Sequence, residues 1–207
     1  MLEHWYPKQV KLRNGQEVTL RLLNNTDTDK LYAFFHGLRE EDRLFLRHDV
    51  TDRDLIAGWV ANIDLRRIIP LVAEEGDKIV ADGTLHLANY GWSRHAGEMR
   101  LVTAPTHRRI GLGTLVAREL VRAAEELGLE KLRTHVIEDD VGAVTTLRRL
   151  GFVIAAVLQD WVMDQRGKKR NLAIMTNSVV QLTQVMEEWI LGSIQPGFRA
   201  PPEGALE

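Results

Sequence analysis

At His107-Arg108-Arg109-Ile110-Gly111-Leu112-Gly113 a strand-like run meets a helical one, and that setting gives a short glycine motif its meaning. Ahead of it, Glu98-Met99-Arg100-Leu101-Val102-Thr103 alternates as a strand does. Behind it, Leu115, Val116, Leu120, Val121, Ala124 and Leu127 recur at helical spacing between Thr114 and Leu127. Two glycines at such a junction allow a tight turn and present several backbone N–H groups to an anion, and the dipole of the following helix adds positive potential. A basic-Gly-x-Gly string by itself is equally well a solvated loop before a helix. The strand before it and the helix after it favour the anion-binding reading.

The rest of the chain switches between the same two periods. Val10 to Arg21 sets Asn14-Gly15 between two alternating runs, a hairpin signal. Asp27 to His36 and Asp52 to Ile63 read as helices, with Thr26 and Thr51 as N-caps. Ile68 to Ala73 and Ile79 to Leu87 read as strands joined at Glu75-Gly76-Asp77, and Asn89 to Gly97 as a loop carrying Trp92. A strand over Glu98–Thr103, the long helix, a strand over Leu132–Glu138 and a helix over Val141–Arg149 follow. Asp140 suits the N-cap of that helix and Gly151 its C′ position. Val153 to Met163 and Asn171 to Thr176 form a closing hairpin around Gln165-Arg166-Gly167-Lys168. This order predicts an α/β (α+β) domain over residues 1–176, with a mixed, mostly antiparallel sheet flanked by helices. Residues 177–191 add an amphipathic helix whose Val179, Leu182, Val185, Met186, Trp189 and Ile190 share one side. That side suits either cover for the domain or an interface in a homodimer. The segment 192–207, rich in Pro and Gly, is expected to be a flexible tail.

Composition narrows the chemistry. A chain of 207 residues, 44% apolar and 27% charged, is sufficient for one globular domain with a substantial core. A net charge of −2 gives no long-range field favouring nucleic acid or an anionic membrane. The absence of Cys excludes disulfides, a thiolate nucleophile and cysteine-based metal sites, and no metal is expected. No apolar run reaches membrane-spanning length and Met1 to Val10 has no signal-peptide core, so the expected location is the cytoplasm.

Arg108-x-x-Gly111-x-Gly113 is similar to the acyl-CoA pyrophosphate loop of the GNAT N-acetyltransferase superfamily. Downstream, Val136-Ile137-Glu138-Asp139-Asp140, Ala143 and Leu150-Gly151-Phe152 resemble that superfamily's next strand, its Asn-x-x-Ala helix and its Leu-Gly-Phe ending. These motifs span Glu98 to Phe152, about a quarter of the chain. The N-terminal part resembles the acetyltransferase domain of bacterial Pat-type protein-lysine acetyltransferases, from the Asn14-Gly15 hairpin through Asp27, Asp29, Leu31, Phe34-Phe35 and Leu38-Arg39-Glu40-Glu41. Those enzymes carry a Glu ten residues ahead of the loop's first motif residue, and Glu98 stands ten residues before Arg108.

The resemblance implies a GNAT-like sheet, acetyl-CoA as acyl donor and a primary amine as acceptor, with a protein lysine favoured by the N-terminal likeness. It implies that Glu98 is the general base and that backbone N–H groups of Leu101, Val102 and Thr103 polarise the thioester carbonyl. It assigns the pyrophosphate to Arg108, Arg109, Ile110, Gly111, Leu112, Gly113 and Thr114. Asp140 stands where the family has a cofactor-side Asn. A lysine amine with a pKa near 10.4 costs about 4–5 kcal/mol to deprotonate at pH 7, which is what a base must offset. Partial burial is expected to raise the Glu98 pKa toward a useful range, with Arg100 on the same strand face as its partner. His135 is read as a structural hydrogen-bonding residue or an acceptor-facing one, Lys168-Lys169-Arg170 as a solvated run, and Trp92 as lining the acceptor entrance or packing on the sheet. Glu40 to Asp54 and Asn89 to Gly97 are the candidate acceptor loops.

Two departures from the family pattern stand out. Leu147 occupies the place of a Tyr that protonates the leaving thiolate in many relatives, and Asp140 accepts hydrogen bonds but donates none at neutral pH. They keep two alternatives open: acetylation of a small-molecule amine, and a non-catalytic acyl-CoA sensor.

Overall fold

Eight strands form one sheet among the residues described by this computed structural model, which are 2–88, 90–164 and 166–194. They are β1 (Lys8–Lys11), β2 (Glu17–Leu22), β3 (Ile68–Glu75), β4 (Lys78–Leu87), β5 (Ala96–Thr103), β6 (Lys131–Ile137), β7 (Val153–Met163) and β8 (Lys169–Ser178). Their spatial order is β1-β2-β3-β4-β5-β6-β8-β7. Neighbours are antiparallel except β5 and β6, which run parallel because helix α4 (Leu112–Glu126) carries the chain from one to the other. This is the mixed, mostly antiparallel sheet that the order of periods predicts.

Helix α4 owes its position to its apolar stripe. Leu115, Val116, Leu120, Val121 and Ala124 are buried against sheet residues Leu20, Leu71, Leu85, Met99 and Leu132. Each large aliphatic removed from water contributes about 1.5–3 kcal/mol. Gly83 permits the close approach: a Cβ there would sit 2.5 Å from Val116 Cγ1. Helix α6 (Val179–Ile194) covers the same layer, with Val179, Leu182 and Met186 joining its core. It runs past the expected end at Leu191, so 192–194 are helical, while the rest of the expected tail lies outside the described residues.

The opposite face carries a second, smaller core. Leu31, Phe34 and Phe35 of α1 (Thr28–His36) and Ile56 and Val60 of α3 (Arg53–Ala61) pack there with Val72 and Ile79. Both helices start one residue later than expected. Asp52 caps α3, accepting from Asp54 N at 2.9 Å and Leu55 N at 3.2 Å, while Thr51 hydrogen-bonds Asp49 instead. Asp27 precedes α1 without capping it, because Arg21 takes its carboxylate at 2.6 and 2.8 Å; Thr26 turns to Asn24. Asn14 and Gly15 sit in a five-residue connection, with Lys11 paired to Glu17, so only Gly15 (φ +89°) is left-handed and the turn is not the two-residue kind. A short helix α2 (Glu40–Arg43) lies inside the first candidate acceptor loop. Helix α5 (Val141–Arg149) begins where expected, with Asp140 accepting from Ala143 N at 2.9 Å, and Gly151 follows its end at φ +97°.

The Lys168-Lys169-Arg170 run is not uniformly solvated. Lys168 and Lys169 are exposed, but Arg170 is clamped between Asp139 at 2.7 Å and Asp164 at 3.1 Å, tying the β7–β8 hairpin to the β6–α5 connection.

Candidate active site

Strands β5 and β6 stay paired for three residues only: Ala96 with Lys131, Gly97 with Leu132, and Glu98 with Arg133. Past Glu98 they diverge, so the β6-facing edge of β5 from Arg100 to Thr103 has no strand partner. The divergence opens a cleft of about 2220 Å³ lined by both strands, by the loop after β5, by α5 and by the α2–α3 connection. That exceeds the few hundred to about a thousand Å³ of a single drug-sized site, and suits a long ligand meeting a second one.

One end of the cleft is formed by the loop that leads into α4. Arg109 (φ +64°) and Gly111 (φ +90°) are both left-handed, which turns the loop back so that α4 begins at Leu112. The first intrahelical bond is Leu115 N to Gly111 O, at 2.9 Å. By helix geometry the N–H groups of Leu112, Gly113 and Thr114 are left for an outside acceptor, at the positive end of the helix dipole. An unbranched Arg pays some strain at positive φ, and the turn needs it. Arg108 is held at 3.0 Å by Asp42, which Arg39 also binds at 2.9 Å.

The expected donor-side residues Leu101, Val102, Thr103, Arg108, Arg109, Ile110, Gly111, Gly113, Thr114 and Asp140 all line this cleft, as does Glu98. Leu112 does not: its side chain is fully buried in the core, so it brings only a backbone N–H. Asp140 spends one oxygen on the α5 cap, and Leu147 lines the cleft where a proton donor was sought. Of the two acceptor loops, the first supplies Asp42, Leu44, Phe45, Leu46, Arg47 and His48. Among the described residues of the second, none lines the cleft, and Trp92 is 93% exposed, not packed on the sheet.

Glu98 sits where the strands part, 8% exposed, and three arginines converge on it. Arg100 reaches Oε1 with both Nε and Nη2 at 2.9 Å, Arg47 reaches the same oxygen at 3.0 Å, and Arg133 reaches Oε2 at 3.3 Å. Burial alone would raise its pKa, but the Arg100 charge and hydrogen bond, with Arg47, outweigh that and hold the carboxyl below its ordinary value. The expected rise is therefore corrected: the side chain is an ionised, well-anchored carboxylate and a weaker base than burial alone would make it. His135 accepts from Arg47 Nη2 at 2.7 Å through Nδ1; an arginine can only donate, so the ring proton of a neutral His135 is on Nε2. Burial first, then the surrounding arginines, keep His135 and His48 below the usual histidine range and push His86 down to about 4.

Four participants escaped the sequence reading: Arg47, Arg133, Asp82 and His86. Asp82, Thr84 and His86 place polar groups at every second position of an otherwise apolar β4, directly across from Val102, Arg100 and Glu98. That alternation was a readable sign of a polar face. Arg47 and Arg133 carried no such sign, since a loop arginine and a strand-end arginine are ordinarily solvated. Asp82 lines the cleft, and burial, only partly opposed by Arg100, pushes its carboxyl up to about 7. Among the described residues no group of three or more His, Asp or Glu side chains is arranged to hold a metal.

Known proteins share this fold. The GNAT domain of S. lividans PAT superposes with a TM-score of 0.71 at 14% identity, covering 84% of this chain and 97% of that one. Mycobacterium smegmatis RimJ, in complex with CoA-disulfide, gives 0.71 at 15% identity over 91% and 96%. Salmonella typhimurium yncA, with its cofactor acetyl-CoA, gives 0.67 at 16% identity over 90% and 98%. At such identities these likenesses speak for the fold. The family-level match is independent of them: the acetyltransferase (GNAT) family model fits residues 27–152, more than half of the chain, and takes in α1, the parting strands, the turn before α4 and α5. The chain belongs to the acetyltransferase (GNAT) family.

Proposed function

We propose that this enzyme transfers an acetyl group from acetyl-CoA to a primary amine, with a protein lysine as acceptor and Glu98 as general base. The observation that carries the reading is the parting of β5 from β6 at Glu98, with the anion-binding turn at the far end of the same strand. The residues fit the donor. The Gly111–Thr114 N–H groups and Arg109 suit a pyrophosphate, and the unpaired edge of β5 over Leu101–Thr103 suits the amide-bearing arm of CoA. Bound acetyl-CoA supplies an activated thioester; the chain does the rest by placement. Backbone donors on β5 polarise the carbonyl, and Glu98 receives the ammonium, orients it and takes its proton directly or through water. Arg100 grips one Glu98 oxygen twice and fixes its rotamer.

The test is Glu98→Gln, followed by mass spectrometry of acetylated products and calorimetry with acetyl-CoA. Turnover falls by a factor on the order of 100 or more while acetyl-CoA affinity is retained. Unchanged turnover removes Glu98 from the mechanism. Leu147 at the cleft wall, together with the depressed basicity of Glu98, favours one second reading, an acyl-CoA sensor. It predicts tight acetyl-CoA binding with no acetylation of protein lysines or of small amines, and the same pair of measurements separates the two.

A further inference from the structure

Three guanidinium groups meet one carboxylate at Glu98, which leaves two positive charges unmatched at the acceptor end of the cleft. The donor does not account for them. Its phosphate cradle begins beyond Thr103, five residues along β5 from Glu98, a distance of about 16 Å in an extended strand. That is roughly twice the screening length at physiological salt, so the arginine cluster and the donor phosphates are electrostatically separate. Asp82 does not neutralise them fully either, because its carboxyl is partly protonated near pH 7. The other groups facing the cluster are His48, His86 and His135, all held neutral by burial and by the same arginines. The three arginines are not equivalent. Arg100 is 35% exposed and doubly bonded to Glu98, whereas Arg47 and Arg133 are 45% and 55% exposed and make one contact each to that carboxylate.

We infer that the acceptor carries a carboxylate close to its reactive amine, and that Arg47 and Arg133 bind it. The inference rests on the acetyltransferase reading and names the substrate class of the same site. A guanidinium matches a carboxylate in bidentate geometry, and two half-exposed arginines can turn from Glu98 to an incoming anion without leaving a buried charge alone. The exchange also resolves a tension within the site. As Arg47 and Arg133 move to the acceptor's carboxylate, Glu98 keeps only Arg100, and its affinity for a proton rises as the amine arrives. The carboxylate belongs either to an amino-acid metabolite or to an Asp or Glu flanking a lysine in a protein.

The experiment compares matched acceptors that differ only in that charge. One arm uses free amino acids against their carboxamides, and the other uses lysine peptides flanked by Asp or Glu against the same peptides with Asn or Gln. Both arms record kcat/KM and calorimetric binding to the enzyme saturated with CoA. The acidic member of a pair is preferred about tenfold or more, and Arg47→Gln and Arg133→Gln each erase most of that preference through the acceptor KM, with acetyl-CoA affinity retained. The arm that shows the preference identifies the source. Equal kcat/KM within pairs, or a preference that survives both substitutions, overturns the anion subsite and leaves the acetyltransferase standing. Charge-selective binding without acetylation keeps the subsite and overturns the acetyltransferase. Failure of every acidic acceptor to bind overturns the subsite outright. Both arginines are about half exposed, and a thermal melt confirms that each variant folds.

Discussion

Asp82→Asn should make this protein more stable, and the gain should depend on pH in a way that the site itself dictates. Asp82 has an ordinary carboxyl pKa of 3.8 when unfolded and one pushed up to about 7 when folded, because burial disfavours its charge and only Arg100 opposes that. Between those values the folded chain binds the proton more tightly than the unfolded one, so stability falls as pH rises through the window and the loss is complete above pH 7. That difference corresponds to roughly 4 kcal/mol at pH 8 and to less than half of that at pH 5. The carboxyl borders the cleft, where water recovers part of its hydration, and an amide at this position has its own burial cost. The net gain at pH 8 is therefore about 2 kcal/mol. For a chain of this size that is a rise in melting temperature of about 4–8 °C. Urea titrations of both proteins at pH 4, 5, 6.5 and 8 measure it directly. The difference should grow with pH and level off above 7. A variant that is less stable at pH 8, or a gain that does not change with pH, would refute the assignment of Asp82 as an unpaired, strained carboxyl.

Other substitutions probe separate parts of the argument. Gly111→Ala forces a side chain into φ +90° at the anion-binding turn, costing about 1 kcal/mol or more in stability and raising the KM for acetyl-CoA. Steady-state kinetics with varied donor should show the KM effect with a smaller change in kcat. Gly83→Ala places a Cβ 2.5 Å from Val116 Cγ1, so α4 must lift from the sheet; denaturation should show a loss of about 1–3 kcal/mol. Leu147→Tyr sets a phenol at the cleft wall in place of an alkyl group. If loss of the thiolate limits the rate, kcat should rise several-fold, and an unchanged kcat shows that the thiolate leaves unaided.

Local pattern carried a large part of this protein. Gly111, between a strand and an amphipathic helix, located the turn, because a tight reversal demands positive φ and a helix start leaves its own N–H groups open. Alternation and helical spacing located most of the strands and helices, and the resemblance to the Pat-type pattern, with its Glu ten residues ahead of the loop, singled out Glu98. What misled was the chemistry of single side chains. Thr26 and Thr51 are good capping residues, but Asn24 and Asp49 captured their hydroxyls. Arg170 belonged to a basic run, yet two acids from separate segments fixed it.

The sequence by itself thus determined the order of strands and helices and a tight turn ahead of α4, since these rest on periodicity and backbone preferences among residues close in the chain, and the likeness to the GNAT pattern pointed to Glu98. Only the tertiary structure decided the character of that carboxylate. Arg47 comes from the α2–α3 connection, Arg100 from β5 and Arg133 from β6. A pKa is set by charges and burial within a few ångströms, and groups up to 86 residues apart in the chain enter that radius only when the sheet is assembled.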